Sequence, residues 1–162
     1  MEMTNELITA IEAMDPVALG GAAITLTTIL IATVVCAIIR YLMISIGYSK
    51  MYRKAGVAPW KAFIPVYNTY NNYKLSWNAQ MFALSAAMYV ALNTLAGSES
   101  LAVQLVAIVT GITLIAVMVK QNVNMAKLFG KGAGTGIALM FFPGITSLVL
   151  GLGKAEFKAI AE

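Results

Sequence analysis

Histidine is absent from the 162 residues, and cysteine occurs once, at Cys36. The first absence removes the commonest general base and the commonest metal ligand together. The second leaves no intrachain disulfide framework. Acidic residues are scarce, seven against 11 Lys and Arg, and no close acidic cluster lies outside the N-terminal tail. Metal binding is therefore not expected, and no residue stands out as catalytic or as a cofactor ligand. The 10 methionines fall mostly in apolar runs, where they read as packing filler rather than copper ligands. Charge of either sign is thin at 11% of residues, against about a quarter in soluble domains.

What fills the space is apolar. Some 60% of residues are hydrophobic, and the gaps between charged clumps are long enough to cross a bilayer, which takes roughly 20 residues of helix. The pattern predicts an all-α integral membrane protein, a single membrane domain with four transmembrane helices. Residues 1–17 form an acidic tail in which Leu7, Ile8, Ile11 and Met14 recur at helical spacing. Asp15-Pro16 should end that amphipathic helix. The tail's negative charge is the wrong flank for a cleavable signal peptide. The first span is 19–46, with Arg40 placed to snorkel at its inner edge. The others are 81–96, 101–119 and 132–153. The last is interrupted by Pro143-Gly144, so it is either kinked or re-entrant; a kinked span is preferred.

Between the first and second spans lies an interfacial connector, 47–80, with five basic residues, no acid, and Trp60, Tyr67, Tyr70, Tyr73 and Trp77. It is too polar to span and too aromatic for a free linker, so one or two helices along the membrane surface are expected. The loop at 120–131 holds three lysines and no acid, whereas the N-terminal tail and the Glu99 turn hold no base. The positive-inside rule then places both basic loops in the cytoplasm and the N-terminus outside. A kinked fourth span would leave the C-terminus outside; a re-entrant hairpin would keep it cytoplasmic. The net charge of +4 thus points to the bilayer and its anionic lipid headgroups as partners, not to nucleic acid.

Residues Lys54-Ala-Gly-Val-Ala-Pro-Trp-Lys-Ala-Phe-Ile-Pro-Val-Tyr-Asn-Thr-Tyr70, with Ala126-Lys-Leu-Phe-Gly-Lys131 and Gly151-Leu-Gly153, resemble a family of small polytopic bacterial membrane proteins of uncharacterised function. The likeness runs from about Tyr48 to Phe157. It implies an inner-membrane, multi-pass fold and supplies no activity. Members are sometimes called signal-peptidase-like. A serine-lysine peptidase needs both groups on a folded outer domain, and the outer loops expected here are too small to hold one. A fainter echo, Lys50–Gly56 against Lys127–Ala133, is compatible with duplication and equally with ordinary membrane-edge chemistry.

Two residue sets are candidates for contacts. Trp60, Pro65, Tyr67, Asn68, Tyr70 and Tyr73 form a possible partner or lipid-contact surface, the three tyrosines being expected on one helix face. Arg40, Asn93, Gln104, Thr110 and Thr113 are possible intramembrane polar contacts, worth roughly 1 kcal/mol each between helices. Gly132 and Gly136 suit close helix packing better than a phosphate loop, which would need a following Lys-Ser/Thr. The expected function is that of a non-enzymatic membrane subunit, packed as a homo-oligomer or in a membrane-protein complex. The alternative is an oligomeric small-solute or ion channel.

The orientation is directly testable. In a Cys36→Ala background, a membrane-impermeant maleimide should label Glu99→Cys in intact cells and Lys61→Cys only after permeabilisation. The reverse pattern would overturn it.

Overall fold

The computed structural model describes residues 3–6, 9, 16–95 and 97–158, and among them there is helix and no strand. Most of the acidic tail, including Leu7, Ile8, Ile11, Met14 and Asp15, lies outside the described residues; residues 3–6 are helical. The chain divides into two compact units, Met1–Arg40 and Tyr41–Glu162.

Helix α1, Pro16–Lys54, has 39 residues, about 58 Å of helix. Pro16 sits at its start, where the missing N–H is no loss. In the first unit, Thr25, Thr27, Thr28 and Thr33 each donate their hydroxyl to the carbonyl four residues back at 2.8 Å. These bonds leave the four threonines with no unsatisfied hydroxyl to expose. The apolar side chains of this stretch stand outward, with Ile24 71% and Leu26 68% exposed.

The second unit begins within α1 and carries the packed core. α1 does not stop near residue 46; it runs through to Lys54. It ends where Gly56 takes φ +71°, with the Val57 N–H on the Tyr52 carbonyl at 2.8 Å and the Gly56 N–H on the Arg53 carbonyl at 3.3 Å. This is the paired-bond helix stop that favours glycine. The connector then forms a short 3-10 helix, Pro59–Phe63, and α2, Pro65–Ser76, each opened by its proline. α3 covers Ala79–Leu95, its first turn capped by Asn78 Oδ1 accepting the Met81 N–H at 2.9 Å.

Helix α4, Leu101–Leu128, likewise overruns the expected end at 119. It stops by the same device. Gly130 has φ +67°, Lys131 N–H bonds Ala126 O at 3.0 Å, and Gly130 N–H bonds Lys127 O at 2.9 Å. The two basic-glycine segments thus end two long helices alike. Their matching residues are Arg53 to Gly56 and Lys127 to Gly130, a register three residues away from the echo visible in the sequence.

The fourth apolar segment is two helices, α5 (Ala133–Phe141) and α6 (Pro143–Leu152), broken at Phe142. They do not make the preferred kinked rod. α5 leaves the end of α4 and runs back along it, with Gly136 against the Val123 backbone. α6 then runs parallel to the end of α1: Gly144 lies by Met43, Ser147 by Gly47, and Gly151 by Gly47 and Lys50. The chain returns to where it left, the Lys158 N–H bonding the Leu128 carbonyl at 2.6 Å. Proline at 143 offers no N–H to continue α5, and glycines at the contacts let the arms lie flat on their neighbours.

The core gathers at this end of the unit. Met51, Tyr52, Met125, Leu128, Phe129, Leu139 and Leu150 are buried together, whereas Ile108, Val109 and Ile112 of α4 are exposed. A methyl group added at Gly20, Gly21 or Gly132 would meet nothing within 4 Å, so small-residue packing belongs to Gly47, Gly136 and Gly151.

Adding one methyl at Gly136 drives it into the α4 backbone, so Gly136→Ala should lose about 1–3 kcal/mol. Gly134→Ala, facing open space, should be neutral or stabilising by up to about 1 kcal/mol. Unfolding of both variants in detergent checks this, and equal effects would contradict the packing.

Candidate functional site

Two polar constellations lie beside the core. The first ties helix ends together. Lys54 Nζ donates to the carbonyls of Leu150, Gly153 and Ala155 at 2.8, 2.7 and 2.9 Å. A helix C-terminus leaves its last carbonyls without partners and carries partial negative charge, so one ammonium answers both needs at the end of α6. Tyr52, fully buried, points its hydroxyl at Asn68 O and Oδ1, both at 2.7 Å, and at Asn72 Oδ1 at 2.8 Å. The hydroxyl donates to one of these oxygens at a time and fixes α2 to α1. Asn72 Nδ2 bonds Asn68 Oδ1 at 3.2 Å, and Asn71 Nδ2 bonds Tyr67 O at 2.6 Å. Tyr41 adds a bond from its hydroxyl to Phe63 O.

The second constellation lines a cleft of about 790 Å³ between the end of α1, α2, α3, α4 and the α5–α6 turn. Ligand-binding clefts run from about 300 to 1,000 Å³. Its walls are apolar: Val66, Phe82, Ala86, Tyr89, Leu114, Met118, Leu139 and Met140. Its polar side chains include Tyr48, Asn72, Tyr73, Ser85, Gln121 and Asn122, and among the described residues no charged side chain lines it. Gln121 Nε2 donates to Ser76 Oγ at 3.2 Å, and Ser76 Oγ donates to Asn72 O at 2.6 Å. Asn122 Nδ2 bonds Met118 O at 2.9 Å, and Ser85 Oγ bonds Phe82 O at 2.9 Å. Just outside, the Lys120 ammonium stands 4.2 Å from the Trp77 ring centre.

Of the aromatic surface expected from sequence, Trp60, Pro65 and Tyr67 are exposed, and Trp60 and Tyr67 pack ring on ring at 5.8 Å. Asn68 and Tyr70 do not share that exposure to the same degree: Asn68 is half-buried by its bonds to Tyr52, and the Tyr70 ring packs edge-on against Phe82. Tyr73 is turned inward against Phe82. The single tyrosine face fails for a geometric reason: each step of three residues falls about 60° short of a turn, so Tyr73 lies about 120° round from Tyr67. Only Pro65 and Tyr73 of this set reach the cleft.

The intramembrane candidates do not converge. Asn93 bonds Tyr89 O, Gln104 bonds Ser98 O, Thr110 bonds Val106 O and Thr113 bonds Val109 O, all within or beside their own helix. Arg40 is exposed at the end of the first unit. None of the five lines the cleft. The residues that do, Gln121 and Asn122 above all, fall in the stretch whose polarity predicts a loop. Two uncharged amides directly after Lys120 in an unbroken helix were the available signal. Among the described residues no three His, Cys, Asp or Glu side chains come together.

The fold defines an all-helical protein with two helices, Gly20–Lys54 and Leu101–Leu128, long and apolar enough to cross a membrane. Residues 60–159 match a family of unknown function, DUF5684, and the chain belongs to that family. No curated protein and no solved structure matches it.

Because Lys54 serves three carbonyls, Lys54→Met should cost about 2–3 kcal/mol and expose the segment after α6 to limited proteolysis. Tyr52→Phe, which keeps the ring, should cost about 1 kcal/mol and leave that segment protected. Denaturation and protease mapping in detergent would separate them; a silent Lys54→Met would refute the cap.

Proposed function

We propose that this chain is a non-enzymatic, multi-pass protein of the bacterial inner membrane that works by packing against a second copy or another membrane protein. The observation that carries the reading is the inside-out distribution of side chains. α1 and α4 expose long apolar flanks while Gln121, Asn122, Asn71 and Ser147 are buried. In water, exposed apolar area on that scale marks an interaction surface; in lipid it is the ordinary exterior.

In this arrangement α1, α3 and α4 cross the bilayer and α5–α6 re-enters it. α3 has 17 residues, about 26 Å, near the lower limit for a span. α5 and α6 have nine and ten, about 14 Å each, half the hydrocarbon thickness. A non-spanning hairpin brings Lys154 and Lys158 to the cytoplasmic face, so all 11 Lys and Arg except Arg40 gather there, as the positive-inside rule favours. The connector, with Trp60 and Tyr67 outermost, lies at the headgroup level among anionic lipids. Exposed amides on apolar helices, Asn93 and Gln104, favour contact with a neighbouring chain over contact with lipid.

A C-terminal fluorescent-protein fusion should glow and the matching alkaline-phosphatase fusion should stay inactive, since the tail is cytoplasmic. In mild detergent the protein should elute as an oligomer or with a co-purifying membrane protein. An active phosphatase fusion would refute the hairpin topology, and a strict monomer with no companion would refute the packing role.

A further inference from the structure

The cleft is amphipathic along its length. At one end Asn72, Gln121 and Asn122 offer amide groups. Leu114, about 10 Å further along α4 from Gln121, marks an apolar end shared with Tyr89 and the α5–α6 turn. Val66 and Tyr89, 67% and 63% exposed, mark its open side. Tyr48 and Tyr73 are only 6% and 5% exposed and line the cleft. Among the described residues neither hydroxyl has a hydrogen-bond partner. Neither hydroxyl is sealed; among the described residues Ser45 Oγ is the one sealed side-chain polar atom without a partner. Both hydroxyls therefore keep some accessible surface and no partner among the described residues, on residues that line the cleft. Buried polar groups are kept where they find partners, so two that have none on the described chain point to a partner from outside it.

The structure assigns this cleft, we infer, to an uncharged amphiphile drawn from the bilayer, its carbonyl- or hydroxyl-bearing head against Tyr48, Tyr73 and Asn122 and its tail toward Leu114 and Tyr89. The inference rests on the membrane reading above. The lining selects the class. With no Lys, Arg, Asp or Glu among the described residues of the wall, a charged head would lose its hydration without a counter-ion, whereas a neutral oxygen acceptor needs only hydroxyl and amide donors. The volume suits a ligand of small-lipid size. A prenyl quinone and a diacylglycerol both present this chemistry.

The test uses the full chain in phospholipid nanodiscs, with native mass spectrometry and thermal shift as readouts. The probes are a short-chain prenyl quinone, dioctanoylglycerol, and dioctanoyl phosphatidylglycerol as the charged comparator. At least one uncharged probe should bind one per chain, at least tenfold more tightly than the charged one; which of the two binds identifies the source. Ala86→Trp, filling the cleft from an exposed position, should weaken that binding at least tenfold. Tyr48→Phe and Tyr73→Phe, which keep the rings, should each weaken it by about three- to tenfold, as loss of one hydrogen bond does. Binding unchanged by Ala86→Trp and by both Phe variants, preference for the charged probe, or no binding to a carbonate-resistant, correctly inserted protein would each overturn the inference and leave the membrane reading standing. A protein that carbonate strips from membranes would overturn both.

Discussion

Carbonyls that a helix end leaves unpaired must find donors, and away from water that demand becomes a rule of architecture. In this chain Lys54 meets it for α6. By reaching Leu150, Gly153 and Ala155 at once, it binds the last turn of α1 to the last turn of the hairpin. Tyr52, two residues earlier, caps no helix end but ties α2 to the same turn of α1 through Asn68 and Asn72. The Lys158 N–H on Leu128 O closes the ring of elements at the end of α4. One short stretch of α1 therefore anchors both α2 and the end of α6.

Close approach is the second constraint. Gly136 abuts the α4 backbone and Gly151 abuts the backbone of α1, so both arms of the hairpin are pressed onto long helices where a side chain would not fit. Such backbone-level packing, with a few hydrogen bonds, holds the hairpin to its neighbours. The same geometry opens the cleft. α5 and α6 reach it only with Leu139, Met140 and Pro143, and beyond that turn they do not fill the space between α3 and α4. A short hairpin thus contributes both to the buried core of the second unit and to one wall of the cleft.

Parts of this are legible in the chain. The apolar runs announce the helices, and the prolines at 59, 65 and 143 mark where new ones begin, because proline supplies no N–H and suits a first turn. The helix ends are less legible. Hydropathy falls at residues 47 and 120, but a backbone winds on until a glycine in the left-handed region stops it, at Gly56 and Gly130. Treating polarity as a terminator moves Gln121 and Asn122 into a loop and hides the main polar lining of the cleft. The aromatic segment stands out in the sequence as unusual, yet its roles divide. Trp60 and Tyr67 face out, whereas Tyr73 lines the cavity and Asn68 serves as an anchor.

The amino-acid sequence by itself determined a helical chain with long apolar runs, of which two form helices long enough to cross a membrane, together with its lysine-rich segments and the scarcity of metal-type ligands, since these follow from composition and periodicity alone. Only the tertiary structure decided that the last apolar segment folds back instead of continuing, that Lys54 is a cap and not merely a surface charge, and that the uncharged polar residues at 48, 72, 73, 121 and 122 share one cavity. Those outcomes depend on contacts between residues as far apart as Lys54 and Ala155, where steric fit and carbonyl satisfaction choose among folds that local pattern leaves equally open.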